Sequence, residues 1–443
     1  MIKKMLFTPL VVLHVLACSE PGTTSPPTPE AVSHFVKVEG TQFLLDDQPY
    51  RFAGTNYWYG AYVGAEDPAR LSAELDFLAA HKITNLRVLA VSEKSELTRA
   101  VTPAMLDAEG TLDATLVKGL DRFLAEAGKR DMKVVLFLTN FWQWSGGMTQ
   151  YNQWFSGTPL LDPDTTGRWD DYMESSADFY TCSGCQAHYQ SVIRQLVNRV
   201  NSVNGIAYKD DPTIMSWQLA NEPRPGGNEY SQSRADAYVA WIDTSARLIK
   251  SLAPNQLVST GSEGIKGSQE SKDTYLRAHQ SPYVDYMTVH LWIKNWGWFD
   301  IHNAETTIET AKTNALNYLR EHNAMAMQLG KPLVLEEFGA ERDEGELAPE
   351  TSTLYRDDYY RTVFEFIEEN TGKAFAGTNF WAFAGAGRAG ANPELWAPGD
   401  DYLGDPPQEP QGLNGVFDSD STTLSIIRRH ADRIRIGPIK TAP

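Results

Sequence analysis

Residues 214–223 read Ile214-Met215-Ser216-Trp217-Gln218-Leu219-Ala220-Asn221-Glu222-Pro223, an apolar run that stops on a polar pair closed by proline. Its length suits a strand buried on both faces, and Pro223 ends it. A second stretch repeats the design: Leu333-Val334-Leu335-Glu336-Glu337-Phe338-Gly339. With strands expected over 214–219 and 333–337, six more short apolar runs at 52–56, 83–88, 133–139, 257–260, 287–290 and 378–381 bring the strand candidates to eight. Between and after them, helical apolar spacing appears near 68–81, 115–130, 187–201, 235–252, 307–329, 353–370 and 423–436. This βα rhythm predicts an α/β fold, a (β/α)8 TIM barrel with long βα loops. Ahead of it, Phe35-Val36-Lys37-Val38 and Phe43-Leu44-Leu45 flank Glu39-Gly40-Thr41 as a short N-terminal β-hairpin. A doubly wound sheet is the alternative, and Gly385-Ala386-Gly387-Arg388-Ala389-Gly390 matches GxGxxG. However, Asn392, Pro393, Pro398 and Gly399 follow where a phosphate-facing helix would have to start, so no dinucleotide site is expected.

The rest of the chain bounds what this fold can do. Its 443 residues carry 39 Lys+Arg against 57 Asp+Glu, a net charge of −18 that repels nucleic acid. Residues 1–17 hold Lys3 and Lys4 before an apolar run too short to span a bilayer, which reads as an export signal. Val15-Leu16-Ala17-Cys18 resembles a bacterial lipobox, making Cys18 the expected lipid attachment point; an ordinary signal with a chance cysteine is the alternative. The Pro/Thr/Ser-rich segment 18–34 reads as a tether, and 35–443 as the catalytic barrel. The expected location is the cell surface, as a lipoprotein of the outer membrane or envelope, or otherwise secretion. The anchor is the only membrane contact expected, and the protein is expected to be a monomer. In an oxidising compartment Cys182 and Cys185 suit a local disulfide; free thiols or a zinc site, for which only His188 lies close by, are the alternatives.

In a barrel, reactive side chains sit where strands end and loops begin. Glu222 and Glu337 come to that rim from distant strands. Two carboxyl groups facing across a cleft split acetal bonds: one protonates the leaving oxygen while the other attacks the sugar carbon. Arg87, ending the second strand, suits a cation that keeps a nucleophilic Glu ionised, and His290, ending the sixth, suits a hydrogen bond at the same centre. Asn221 is placed to reach a sugar 2-hydroxyl. Strand alternation sends one of Glu336 and Glu337 to the cleft and the other towards the barrel wall.

The motifs Asn221-Glu222-Pro223-Arg224, Glu337-Phe338-Gly339, Gly54-Thr55-Asn56-Tyr57-Trp58, Thr139-Asn140-Phe141-Trp142, His290-Leu291-Trp292 and Asn379-Phe380-Trp381 together resemble glycoside hydrolase family 5 over residues 35–436. In their finer details they resemble its endo-β-1,4-mannanases. The resemblance implies that Glu222 is the acid/base and Glu337, directly before Phe-Gly, the nucleophile. It makes Trp381 the floor under the sugar at the cleavage point, puts Arg224 on the leaving-group side, and gives Asn56, Trp58 and Trp142 to substrate binding. One departure stands out: many members carry Tyr two residues after the His, where this chain has Trp292, whose indole N–H donates but cannot accept. Of 12 Trp, ten (Trp58, Trp142, Trp144, Trp154, Trp169, Trp292, Trp296, Trp298, Trp381, Trp396) fall in or beside expected loops, and half are expected to pack loops rather than bind sugar. Trp241 is expected in the core. The surplus of rings suggests an open cleft. The expected activity is therefore retaining endo-β-1,4-mannanase, acting on mannan, galactomannan, glucomannan and manno-oligosaccharides. No cofactor or metal is expected, since H-E-x-x-H is absent and no calcium-loop spacing occurs. The alternatives are an endo-β-1,4-glucanase, a β-mannosidase attacking chain ends, or a surface glycan-binding protein without catalysis.

Overall fold

The computed structural model describes residues 34–436. The signal, Cys18 and nearly all of the tether lie outside the described residues. The chain enters through β1 (Lys37–Glu39), β2 (Gln42–Leu45) and β3 (Gln48–Tyr50), an antiparallel sheet in the order β1-β2-β3. The expected hairpin thus gains a third strand. Asp46 and Asp47, both at positive φ (52° and 60°), turn the chain tightly enough to pair Gln48 with Leu45. Pro49 sits on the edge of this small sheet, where its missing N–H costs no ladder bond.

Eight strands follow: β4 (Phe52–Asn56), β5 (Asn85–Leu89), β6 (Lys133–Phe137), β7 (Ile214–Gln218), β8 (Leu257–Ser259), β9 (Met287–Leu291), β10 (Leu333–Phe338) and β11 (Phe375–Phe380). They run in the order β8-β7-β6-β5-β4-β11-β10-β9, every neighbour parallel. The circle closes between β8 and β9, where Asp285 N–H donates to the Val258 carbonyl at 2.8 Å and Thr288 Oγ1 to that of Ser262 at 2.7 Å. Every residue of these strands is buried, as expected where helices cover one face and the barrel interior fills the other. Beneath the barrel, Phe43 of β2 meets Tyr286 edge to face at 5.3 Å and joins Phe52, Met215, Leu257 and Val334 in an apolar plug at the amino-terminal mouth. The opposite mouth is left for chemistry.

The helices are α1 (Gly60–Glu66), α2 (Pro68–Ala80), α3 (Ala114–Gly128), α4 (Gly147–Ser156), α5 (Pro163–Thr166), α6 (Trp169–Ala177), α7 (Ser183–Val197), α8 (Gln232–Leu252), α9 (Lys272–Gln280), α10 (Ala304–Leu329), α11 (Leu354–Asn370) and α12 (Ser421–Ile436). All seven expected helices are present, with α7 starting four residues early. A disulfide joins Cys182 and Cys185 across its first turn. Trp241 on α8 is 3% exposed and packs on Tyr180, as expected of a core residue. After β11 come β12 (Phe383–Gly385) and β13 (Val416–Phe417), a parallel pair bracketing loop 386–415. The next helix after the GxGxxG stretch is α12, which starts only at Ser421. The loop is fastened from below. Asp405 accepts the backbone N–H groups of Gly412, Asn414 and Gly415, and buried Arg356 donates to the carbonyls of Leu413 and Gly415. Among the described residues no helix is long and apolar enough to cross a membrane.

Candidate active site

Arg87, the middle residue of β5 and not its last as the sequence suggested, is wholly buried and organises the floor of the upper mouth. Its Nη1 donates to Glu337 Oε1 and to Asn56 Oδ1 (3.0 Å), its Nη2 to Asn221 Oδ1 (2.7 Å), and its Nε to Gln218 Oε1 (2.8 Å). A buried guanidinium is tolerated only when its donors are met in this way. Asn56 was expected to bind substrate. It does not line the cavity: its Oδ1 holds Arg87 and its Nδ2 donates to the Glu336 carbonyl (2.8 Å). Asn221 does line the cavity, and its amide also joins Arg87 to Asn140 Oδ1 (3.1 Å).

The two adjacent glutamates separate through an irregularity. The β10–β9 register shifts between Leu335 and Glu337, and both carboxylates come near Arg87. Glu337 lines the cavity, while Glu336 sits below it, accepting from Gln218 Nε2 (2.7 Å). The wall expected to receive the second carboxylate is therefore the barrel interior. Glu222 follows β7 with φ +47°, a left-handed backbone that a non-glycine residue adopts at a cost of about 1–3 kcal/mol. That turn presents its carboxylate to the cavity.

His290, ending β9, stands between the pair. Its Nδ1 lies 2.6 Å from Glu222 Oε1 and 3.2 Å from Glu337 Oε2. One such atom from each of the three residues falls within 4.8 Å of the others. Burial pushes the imidazole towards neutrality, but the Glu337 charge, the bond to Glu222 and the nearness of Glu336 win, and its pKa rises well above the usual value. Burial likewise pushes Glu222 up, yet the His290 bond and charge, Arg224, and the Trp142 N–H outweigh it and hold the carboxyl at about 2. The pair therefore rests as imidazolium and carboxylate, with a proton on the His290 side of a 2.6 Å hydrogen bond.

Tryptophans complete the site. Trp142 Nε1 donates to Glu222 Oε2 (2.6 Å), and its ring carries the Arg224 guanidinium at 4.8 Å from the centroid. Trp292 Nε1 donates to Glu337 Oε2 at 3.3 Å, so the indole supplies the donor expected of a Tyr, at longer range. Trp381 meets Trp292 edge to face at 5.9 Å and lines the cavity. The cavity measures about 650 Å³ and takes Trp144, Trp169 and Trp296 as further walls. Trp58 is a correction: at 1% exposure, it donates Nε1 to the Gly404 carbonyl (3.0 Å) and packs against Tyr402 beneath loop 386–415. Trp396 stacks on Tyr402 in the same loop, and Trp154 packs on Tyr151 and His188.

Four carboxyl groups that line the cavity were not anticipated: Asp164, Glu263, Glu270 and Glu409. Glu263, past the end of β8, accepts from Arg224 Nε (2.9 Å) and Nη2 (2.5 Å), and burial, opposed by Arg224, pushes it up to about 7. A Glu three residues beyond a strand candidate was its only sequence signal. Glu409, from loop 386–415, lines the cavity with Gln408; burial and the Asp405 charge push it up to about 8. Its Asp-Pro-Pro-Gln-Glu-Pro setting carries no periodicity to flag it.

A family model described as GH family 5 beta-mannosidase-like matches residues 33–437. Mannan endo-1,4-beta-mannosidase 7 of Arabidopsis thaliana is 31% identical over 396 residues, spanning 85% of this chain and 83% of that protein. The crystal structure of a glycoside hydrolase family 5 mannosidase from Rhizomucor miehei superposes with a TM-score of 0.83 at 34% identity, covering 91% of this chain and 98% of that one. A variant of that mannosidase is known in complex with mannosyl-fructose. The endo-1,4-beta-mannanase of the same organism shares the fold, with a TM-score of 0.67 at 23% identity, covering 90% of this chain and 99% of that one.

Proposed function

Starting from the fact that this chain belongs to glycoside hydrolase family 5 and is a glycoside hydrolase of its mannanase/mannosidase group, we propose that it hydrolyses β-1,4-mannosidic bonds with retention, engaging mannan and manno-oligosaccharides from the chain end. The observation that carries the reaction is the placing of Glu222, His290 and Glu337 donor atoms within 4.8 Å of one another, which suits direct displacement rather than the wider gap that admits a water.

In this reading Glu337, oriented by Arg87 and Trp292, attacks the anomeric carbon and forms a glycosyl ester. Glu337's charge is the largest influence holding the proton on His290. As that charge is neutralised by bond formation, the proton passes through Glu222 to the departing oxygen. Water then enters; Glu222 takes its proton, the hydroxide oxygen bonds to the anomeric carbon, and Glu337 leaves as carboxylate. Attack and protonation are thereby coupled.

Action from the chain end is supported by loop 386–415. It buries Trp58 and sets Gln408 and Glu409 into the cavity wall; Glu409 accepts from Asn414 Nδ2 (3.4 Å), and Asn414 lies beside Gly339, two residues after Glu337, which supports a place for the loop on the nucleophile's side, where the glycone binds. Internal cleavage is the second reading, favoured by the six tryptophans lining the cavity and by the names of the plant relatives. Two measurements test the proposal. Glu222→Ala and Glu337→Ala should each lower kcat on mannotriose by about a thousandfold or more with an unchanged circular dichroism spectrum; retention of most activity by both overturns the site. A product time course from linear mannan should show mannose from the first minutes. Early mannotetraose and longer products would instead establish internal cleavage, and hydrolysis of carboxymethylcellulose alone would remove mannan altogether.

A further inference from the structure

The cavity does not end at the Arg224–Glu263 pair. Lys266 and Glu270 line it and also line a second groove of about 770 Å³ on the outer face of the barrel. They form an ion pair with each other at the ridge between the two. Trp296 belongs to the inner space and Trp298 to the outer one. Their rings meet edge to face at 4.9 Å and both rest on Tyr318 of α10. Asn314 and Asn317 of the same helix line the outer groove. The two spaces thus form one path, with aromatic rings on either side of the ridge and carboxamides at its far end.

The direction of the path follows from the charges around it. Trp142, whose Nε1 donates to Glu222, carries the Arg224 guanidinium 4.8 Å from its centroid, and Arg224 donates to Glu263, so this end of the cavity lies on the acid/base side, where the leaving group departs. We propose that the outer groove is a distal binding surface for the leaving-group end of a β-mannan chain, with Trp298 as its stacking platform and Asn314 and Asn317 as partners for sugar hydroxyls. A flat ring with carboxamides at its margin suits an uncharged pyranose, apolar on its faces and polar at its edge. This rests on the proposed function and deepens it. With loop 386–415 on the glycone side, chain length is sensed on the opposite side.

The test compares kcat/KM on mannohexaose with kcat/KM on mannobiose, using the full chain. Trp298→Ala should lower the hexaose-to-biose ratio about three- to tenfold, the effect expected of one lost stacking contact. Trp298→Phe should keep most of the ratio, and Asn317→Ala, at an exposed site, should lower it in the same sense. An unchanged ratio in Trp298→Ala and Asn317→Ala, or an equal loss on both substrates, overturns the surface while leaving the proposed reaction intact. Should Trp298→Ala fail to fold, Asn317→Ala alone decides. Failure of the unsubstituted enzyme on every manno-oligosaccharide overturns the mannan reading itself, and this surface with it.

Discussion

The hydrogen bond from Trp142 Nε1 to Glu222 Oε2 is one of three influences that hold the Glu222 carboxyl, the proposed acid/base, down, beside His290 and Arg224. Because the N–H stabilises the carboxylate and not the acid, Trp142→Phe should make Glu222 more basic, so that the proton it shares with His290 is held more tightly and the alkaline limb of kcat/KM, where that proton is lost, moves to higher pH. The same variant weakens the support under Arg224, so kcat on mannotriose should fall about tenfold. A pH–rate profile checks both; a limb that stays put or moves to lower pH would show that the bond does not tune Glu222. Trp292→Phe removes the donor to Glu337 Oε2 but leaves Arg87 in place, so a loss of about threefold to tenfold in kcat is expected, far short of Glu337→Ala. At this scale the sequence was informative wherever a residue closes a strand. Glu222, Glu337 and His290 meet because parallel strands bring all their carboxyl ends to one mouth. Asn56 closes a strand too, but its amide is taken up by Arg87 and a backbone carbonyl, and no local pattern shows that competition.

Elements outside the barrel repeat were harder to read, for a physical reason. Helix α4 offers only a short apolar stripe, Met148, Tyr151 and Phe155, over ten residues; its Tyr151 and Trp154 pack into aromatic neighbours from α7 and the Asp178–Tyr180 turn. Loop 386–415 is held by Arg356, whose partners Leu413 and Gly415 lie 57 and 59 residues away, beyond any local window. Glu93 illustrates how such packing depends on pH. It is wholly buried, accepts from Thr139 Oγ1 (2.7 Å) and Gly147 N–H (2.8 Å), and anchors the loop that carries Trp142; burial pushes its carboxyl up to about 8. A carboxyl whose pKa is higher in the folded chain than in the unfolded one, about 4.5, adds stability below pH 4.5, and that contribution is lost as pH rises towards 8. The difference in Tm between Glu93→Gln and wild type should therefore move in the variant's favour by a few degrees between pH 5 and pH 9. A constant difference would mean that Glu93 does not change protonation over this range.

Seen as a whole, the molecule carries a net charge of −18 around a cavity whose proposed substrate has none. The eight-strand rhythm was legible because each strand is buried on both faces and must be continuously apolar, whereas Gly377 hid the start of β11: only a hydrogen there leaves room for the Phe52 ring. The acidic surface follows from composition alone and makes its own demand on the kinetics. Surface charge governs encounter with charged partners, over a Debye length of about 10 Å at 0.1 M salt, but exerts no net force on a neutral polysaccharide. The groups that set the chemistry are buried, and their mutual contacts of 2.6–3.3 Å lie well inside any screening distance. Hydrolysis of linear mannan should accordingly keep its kcat/KM within about twofold between 50 mM and 500 mM sodium chloride. A change of an order of magnitude with salt would mean that screened surface charges, and not the buried contacts alone, set the rate on this neutral substrate.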